Sequence, residues 1–178
     1  MDSLYIIGFP SLYGGAGAEL YHQIKVWRHM CVDIHLIPTQ KNVHRAELYP
    51  EMVGQGVTVH EGYDWSAIPE GAPVISFCNE EFLTALPEIR KRTRRTVFVN
   101  CMTWLFGSEK EAMKRGDISL FLYQNDRVRK NMMPRLRALN ADPSIRFMTF
   151  KPYFDTTDFP FIVQRSTDWF GAGHISRQ

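Results

Sequence analysis

Leu4-Tyr5-Ile6-Ile7-Gly8-Phe9 contains no polar side chain and no polar alternation. A short apolar run of this kind reads as a strand, and a strand apolar on both faces needs cover on both sides. A parallel sheet with helices on each face supplies that cover. The run continues into Gly8-Phe9-Pro10-Ser11-Leu12-Tyr13-Gly14-Gly15-Ala16-Gly17, beyond which Leu20, Ile24, Trp27 and Met30-Cys31 recur at helical spacing. Glu19, His22, Lys25 and His29 fall largely off that face, so the helix is expected to lay one side on the sheet and turn the other to water.

Further β-rich runs at 32–37, 57–60, 73–77, 96–100, 118–123 and 146–150 alternate with helical segments. Pro50 suits a first helical position, with Gly54 or Gly56 ending a short helix. Asn79 is placed to cap a helix running to about Lys91, with Glu80 and Glu81 in its first turn. Ser108-Glu109-Lys110-Glu111 reads as a capping box for another. Asn125 can cap a third, in which Val128, Met132, Leu136 and Leu139 keep helical spacing and Pro134 should introduce a kink. The expected class is α/β: a Rossmann-like, doubly wound, mainly parallel sheet with helices on both faces. Residues 1–158 form the expected domain. Two prolines and weak periodicity in 151–160 read as a linker or a chain running over the surface, and 159–178 as a linker or the start of another domain.

The chain has 178 residues, 44% apolar and 22% charged. A domain this long buries roughly 70% of its unfolded surface, so its core does not require disulfides or a structural metal. A net charge of +2 is too near balance for the whole-molecule field of a dedicated nucleic-acid binder. Three cysteines, Cys31, Cys78 and Cys101, stand in or beside apolar runs and are expected as buried free thiols of a reducing, cytoplasmic compartment. No apolar stretch approaches the ~18 residues of a membrane span, and no basic segment precedes the first apolar run.

Glycines at the handover from strand to helix let backbone N–H groups and the positive helix end face an anion, with phosphate or diphosphate the natural guest. The same glycines suit a tight, closely packed turn, and by themselves they do not choose between the two. The spacing matches neither the dinucleotide pattern nor the Walker loop. Glu19, expected in the first helical turn, would repel a fully seated phosphate; it is assigned to sugar hydroxyls, to an internal base or to the helix dipole.

Together with Glu19-Leu20-Tyr21-His22, Trp27-Arg28 and Val32-Asp33-Ile34-His35-Leu36-Ile37-Pro38-Thr39, these segments resemble the N-terminal half of a GT-B glycosyltransferase. The nearest type is the retaining, nucleotide-sugar-dependent group called family 4. Weaker likeness extends through Phe121-Leu122-Tyr123-Gln124-Asn125 to the phrase Phe170-Gly171-Ala172-Gly173-His174-Ile175-Ser176-Arg177. The resemblance implies an acceptor-side domain that transfers a hexose from a nucleotide-diphosphate sugar to an acceptor hydroxyl on a glycan, lipid or small molecule. Gly14, Gly15, Ala16 and Gly17, with Glu19, would form the loop over the donor diphosphate. A C-terminal donor-binding domain would supply most of the nucleotide site. Neither a cofactor nor a catalytic metal is implied, and no catalytic residue is assigned.

Relatives commonly carry a histidine after the strand corresponding to 96–100; here Asn100-Cys101-Met102-Thr103-Trp104 follows. Asn100 and Thr103 can hydrogen-bond a sugar and Trp104 can stack on a ring or pack in a core or interdomain contact. Lys41 and His44, beyond the second strand, can meet an acceptor or be solvated. His35 and His60 read as packed, neutral histidines. Basic clusters at 90–95 and 127–137 suggest a phosphate-bearing surface, with peripheral contact at the cytoplasmic face of an anionic membrane as one use. Nucleic acid is disfavoured because no aromatic platform interleaves them. Two other readings stand beside glycosyl transfer: a non-catalytic nucleotide- or anion-binding α/β module, and a GT-B-like epimerase or phosphorylase.

Overall fold

The computed structural model describes residues 3–8, 15–30, 32–39 and 56–154. Strands β1 (Ser3–Ile7), β2 (Asp33–Ile37), β3 (Val57–Val59), β4 (Val74–Phe77), β5 (Thr96–Asn100), β6 (Leu120–Tyr123) and β7 (Arg146–Thr149) form one sheet, every pairing parallel, in the order β3-β2-β1-β4-β5-β6-β7. Helices are α1 (Gly15–His29), α2 (Glu80–Ile89), α3 (Gly107–Lys114) and α4 (Asp126–Ala138). The two halves wind outward from β1 and β4, the arrangement of a Rossmann-like α/β domain.

Two apolar layers flank the sheet. Tyr5, Ile7, Val74, Phe98, Phe121 and Tyr123 face α2, α3 and α4, while Ile6, Ile34, Leu36, Ile75, Phe77 and Val99 face α1. Alternate side chains of β1 therefore serve different layers, which explains why Leu4 to Ile7 show no polar alternation.

Asn79 caps α2 as expected, its Oδ1 accepting from the N–H groups of Glu81 and Phe82, and Asn125 caps α4 through Val128. The capping of α3 differs from the Ser108 reading. Phe106 is the N-cap residue, and Glu109 reaches back to accept its N–H at 2.5 Å. Ser108 instead donates to Glu80 on α2. The helix starts earlier because a carboxylate three residues into it satisfies an orphan amide that Ser108 could not reach.

The polar side of α1 also differs from its amphipathic expectation. Glu19, His22 and Gln23 are buried along with Leu20, Tyr21 and Ile24. The chain leaving β7 comes back over this helix: Phe150 meets Phe77, Gln23 Nε2 donates to the Tyr153 carbonyl at 2.9 Å, and Phe154 lies 5.2 Å from the His22 ring. The stretch expected as a linker or surface-running segment thus crosses α1 over residues 151–154. The expected helix at Pro50, the thiol of Cys31, the boundary near 158 and residues 159–178 lie outside the described residues.

Candidate functional site

In an open parallel sheet a crevice forms beyond the carboxyl ends of the strands, where the winding direction reverses. Here that point lies between β1 and β4. Gly8, ending β1, has φ +121, a backbone state that L side chains rarely adopt. A Cβ there would stand 3.4 Å from Asn79 Nδ2. Asn79, beyond β4, donates to Thr39 Oγ1 beyond β2 at 3.1 Å. One asparagine thereby caps α2 and ties the end of β4 to that of β2, while the Gly8 N–H donates to the Ile37 carbonyl to tie β1 to β2.

Gly15, Ala16 and Gly17 form the first turn of α1, which contains no acidic residue. Their N–H groups are among those without a helical acceptor. Gly14 lies outside the described residues, as do Lys41 and His44. Glu19 stands in the second turn, contrary to the first-turn expectation, and is only 3% exposed. Its Oε2 accepts from Gln124 Nε2, beyond β6, and from the Cys101 thiol, beyond β5, at 3.9 Å. Its Oε1 has no partner among the described residues. Burial raises its carboxyl above the ordinary range, with the Gln124 and Cys101 contacts opposing.

Asn100 is fully engaged rather than open to a sugar. Its Nδ2 donates to Glu109 Oε1 at 2.7 Å and to the Trp104 carbonyl at 3.3 Å, while its Oδ1 accepts from Met102 N–H at 2.6 Å. It shapes the 101–104 turn. Thr103 and Trp104 are exposed on that turn, Trp104 at 51%. Trp104, Leu105, Lys110, Met132, Arg135 and Leu139 line a cavity of about 440 Å³ beside α3 and α4. Lys110 and Arg135 make no ion pair among the described residues. An exposed indole with two cations over an apolar floor suits a ring carrying negative charge.

The two basic clusters separate. Residues 90–95 precede β5 and stand at the amino edge of the sheet, away from the crevice. There Lys91 pairs with Glu88, and Arg92 donates to the carbonyls of Ile68 and Ser66. Within 127–137, Arg129 is held by Asp126 and Thr149, and Arg135 reaches the α3–α4 cavity. His35 Nδ1 and His60 Nε2 are 3.0 Å apart, and His35 stacks on Tyr5 at 4.5 Å. These are packed histidines on the β2–β3 side, as expected. Burial lowers the His35 pKa, and His60 lowers it further.

Sequence reading missed Glu109, Gln124, Lys110 and the meeting of Cys78 with Cys101. Each cysteine lies one residue past a strand, a signal that becomes useful only when β4 and β5 are known to be neighbours.

Sheet order and strand connections define a Rossmann-like α/β domain whose winding reverses between β1 and β4. No family model, curated protein or solved structure matches the chain. Among the described residues no helix is long and apolar enough to cross a membrane.

Proposed function

We propose that this domain is the acceptor-side half of a GT-B-type glycosyltransferase, moving a hexose from a nucleotide-diphosphate sugar to a hydroxyl. The observation that carries the reading is the meeting of Gly8, Asn79 and Thr39 at the carboxyl ends of β1, β4 and β2, with α1, whose first turn bears glycines, next in the chain after β1. Backbone N–H groups there would meet the donor diphosphate, and Gly14 to Gly17 would allow its close approach. The α3–α4 cavity, with Trp104 on its rim, offers a second seat where an acceptor ring could stack. Asn100 and Glu109 would hold the turn bearing Thr103 and Trp104, acting as positioning residues. Glu19 would act from beneath the crevice, through Cys101 and Gln124. Lys41 and His44 remain proposed acceptor contacts, and the compartment proposed is the cytoplasm, with the acceptor in solution or at the membrane surface.

Exposed Met30, Tyr153 and Phe154 lie along α1 or on the segment crossing it, an apolar surface that supports a following donor-binding domain. The test is transfer from UDP- and GDP-hexoses by the protein expressed with all that its reading frame encodes beyond Gln178. Gly15→Asp, which places a carboxylate at the anion site, should abolish transfer. Near-normal turnover in that variant would remove the loop from the mechanism. Binding of a nucleotide diphosphate without transfer by wild type would instead favour the non-catalytic module, and interconversion of the sugar without an acceptor would favour an epimerase.

A further inference from the structure

Cys78 and Cys101 each stand one residue beyond the end of a strand, and those strands, β4 and β5, are neighbours. The Cys101 N–H donates to Cys78 Sγ at 2.7 Å. Cys101 Sγ lies 3.9 Å from Glu19 Oε2. Both are free and only partly buried.

Cys78 has φ +45, in the left-handed region that favours glycine. A non-glycine residue there is strained, and such strain gathers where a side chain must be aimed. A residue of this kind between a strand and a helix turns its side chain out at the top of the sheet, the position of the nucleophile in many α/β enzymes. Asn79, the next residue, is the N-cap of α2, so the sulfur also lies near a positive helix end. Donation by Cys101 holds the Cys78 thiol below its ordinary range, against the opposing effect of burial. The Cys101 thiol is driven well up, first by its bond to Cys78 and then by burial. Beside Cys101 is buried Glu19, whose Oε1 has no partner among the described residues.

We propose that Cys78 and Cys101 form a peroxide-reactive dithiol at the floor of the crevice, with Cys78 as the attacking sulfur and Cys101 as the resolving thiol. Cys78 loses its proton to solvent, and its thiolate attacks one oxygen of hydrogen peroxide. An S–O bond forms, the O–O bond breaks, and the departing hydroxide takes a proton to become water. Cys101 Sγ then attacks Cys78 Sγ as its proton passes to Glu19. The S–S bond forms, the S–O bond breaks, and hydroxide recovers that proton from Glu19 and leaves as water. Two thiols and one peroxide thus give one disulfide and two waters. The inference is independent of glycosyl transfer, because its readout is the state of the sulfurs.

Trypsin places Cys31, Cys78 and Cys101 in the separate peptides 29–41, 46–90 and 96–110. Treating the full chain with hydrogen peroxide should join 46–90 to 96–110 with loss of two hydrogens, reversibly by dithiothreitol, and leave the Cys31 peptide reduced. Cys101→Ser should stop the reaction at a sulfenic acid on Cys78, trapped by dimedone. In Cys78→Ser, dimedone should label Cys101 at least about tenfold more slowly than it labels Cys78 in Cys101→Ser, because burial and Glu19 still hold the Cys101 thiol up. Wild-type peptides that stay unlinked after peroxide would overturn the proposal without reference to any variant. So would dimedone labelling of Cys101 in Cys78→Ser as fast as that of Cys78 in Cys101→Ser, with circular dichroism showing both variants folded.

Discussion

Glu109, in the first turn of α3, and Glu19, in α1, are buried on opposite faces of the sheet near its carboxyl edge, but their oxygens are used differently. Glu109 has a donor on each: Asn100 Nδ2 on Oε1 and Phe106 N–H on Oε2. Glu19 takes both of its donors on Oε2 and leaves Oε1 without a partner among the described residues. Burial raises both carboxyls, that of Glu109 to about 7, yet only Glu109 starts a helix and holds a turn in return. Buried polar atoms are almost always satisfied, so an orphan acceptor beside two thiols points to chemistry, where a saturated carboxylate points to architecture. The other unpartnered buried atom among the described side chains, Tyr123 Oη, also stands at a strand's carboxyl end. At the amino edge, by contrast, Thr96 and Ser119 exchange satisfied hydrogen bonds with neighbouring backbone.

The largest expected effect is on the architectural carboxylate. Glu109→Ala leaves the Phe106 amide and the Asn100 amide short of an acceptor and should cost about 3 kcal/mol in urea unfolding. A loss below about 1 kcal/mol would break the comparison, because Glu109 would then not be holding the turn. Its titration sharpens the same point. The folded pKa lies above the ordinary value of 4.5, so the folded state binds the proton more tightly than the unfolded chain. The stability this contributes is full below pH 4.5 and is lost as pH rises through about 7. The span is on the order of 3 kcal/mol, and Glu109→Gln should remove that part of the pH–stability profile.

Gly8→Ala comes next, at about 1–2 kcal/mol, because it forces a Cβ into a positive φ beside Asn79. Thermal unfolding reads that loss. Glu19→Gln should change stability by less than about 1 kcal/mol, since its amide oxygen can keep the existing donors while NH₂ occupies the orphan position. If Glu19→Gln and Glu109→Gln cost the same, the distinction between the two carboxylates falls. Trp104→Ala should be smallest, within about 0.5 kcal/mol at this exposed position, while weakening binding of phenyl phosphate to the α3–α4 cavity in a calorimetric titration.

Much of the fold was legible because strands and caps are local. All seven expected strands formed, within a few residues of their expected ends. Asn79 and Asn125 cap helices because their side chains reach amides two or three residues ahead. The misreadings are equally physical. Glu19 and His22 looked solvent-facing from helical periodicity alone, which cannot register that Gln124 and Cys101 meet Glu19 or that Phe154 returns against His22. Ser108 looked like a cap because its spacing to Glu111 fits a capping box, while the carboxylate that does the work is Glu109. Asn100 looked like a sugar contact because its side chain can hydrogen-bond, but Glu109, Met102 and Trp104 already take that capacity.

The sequence by itself determined the class of fold, since a first strand apolar on both faces can be buried only between two helical layers. It also placed glycines where that strand hands over to α1. Tertiary structure alone decided which strand ends lie side by side, and hence that Cys78 meets Cys101, that Glu19 reaches both Cys101 and Gln124, and that Asn79 bonds Thr39. Those contacts span 23 to 105 residues of chain. Spacing along a sequence constrains only neighbours within a few residues, whereas the order of strands is set by how the whole chain winds around its core.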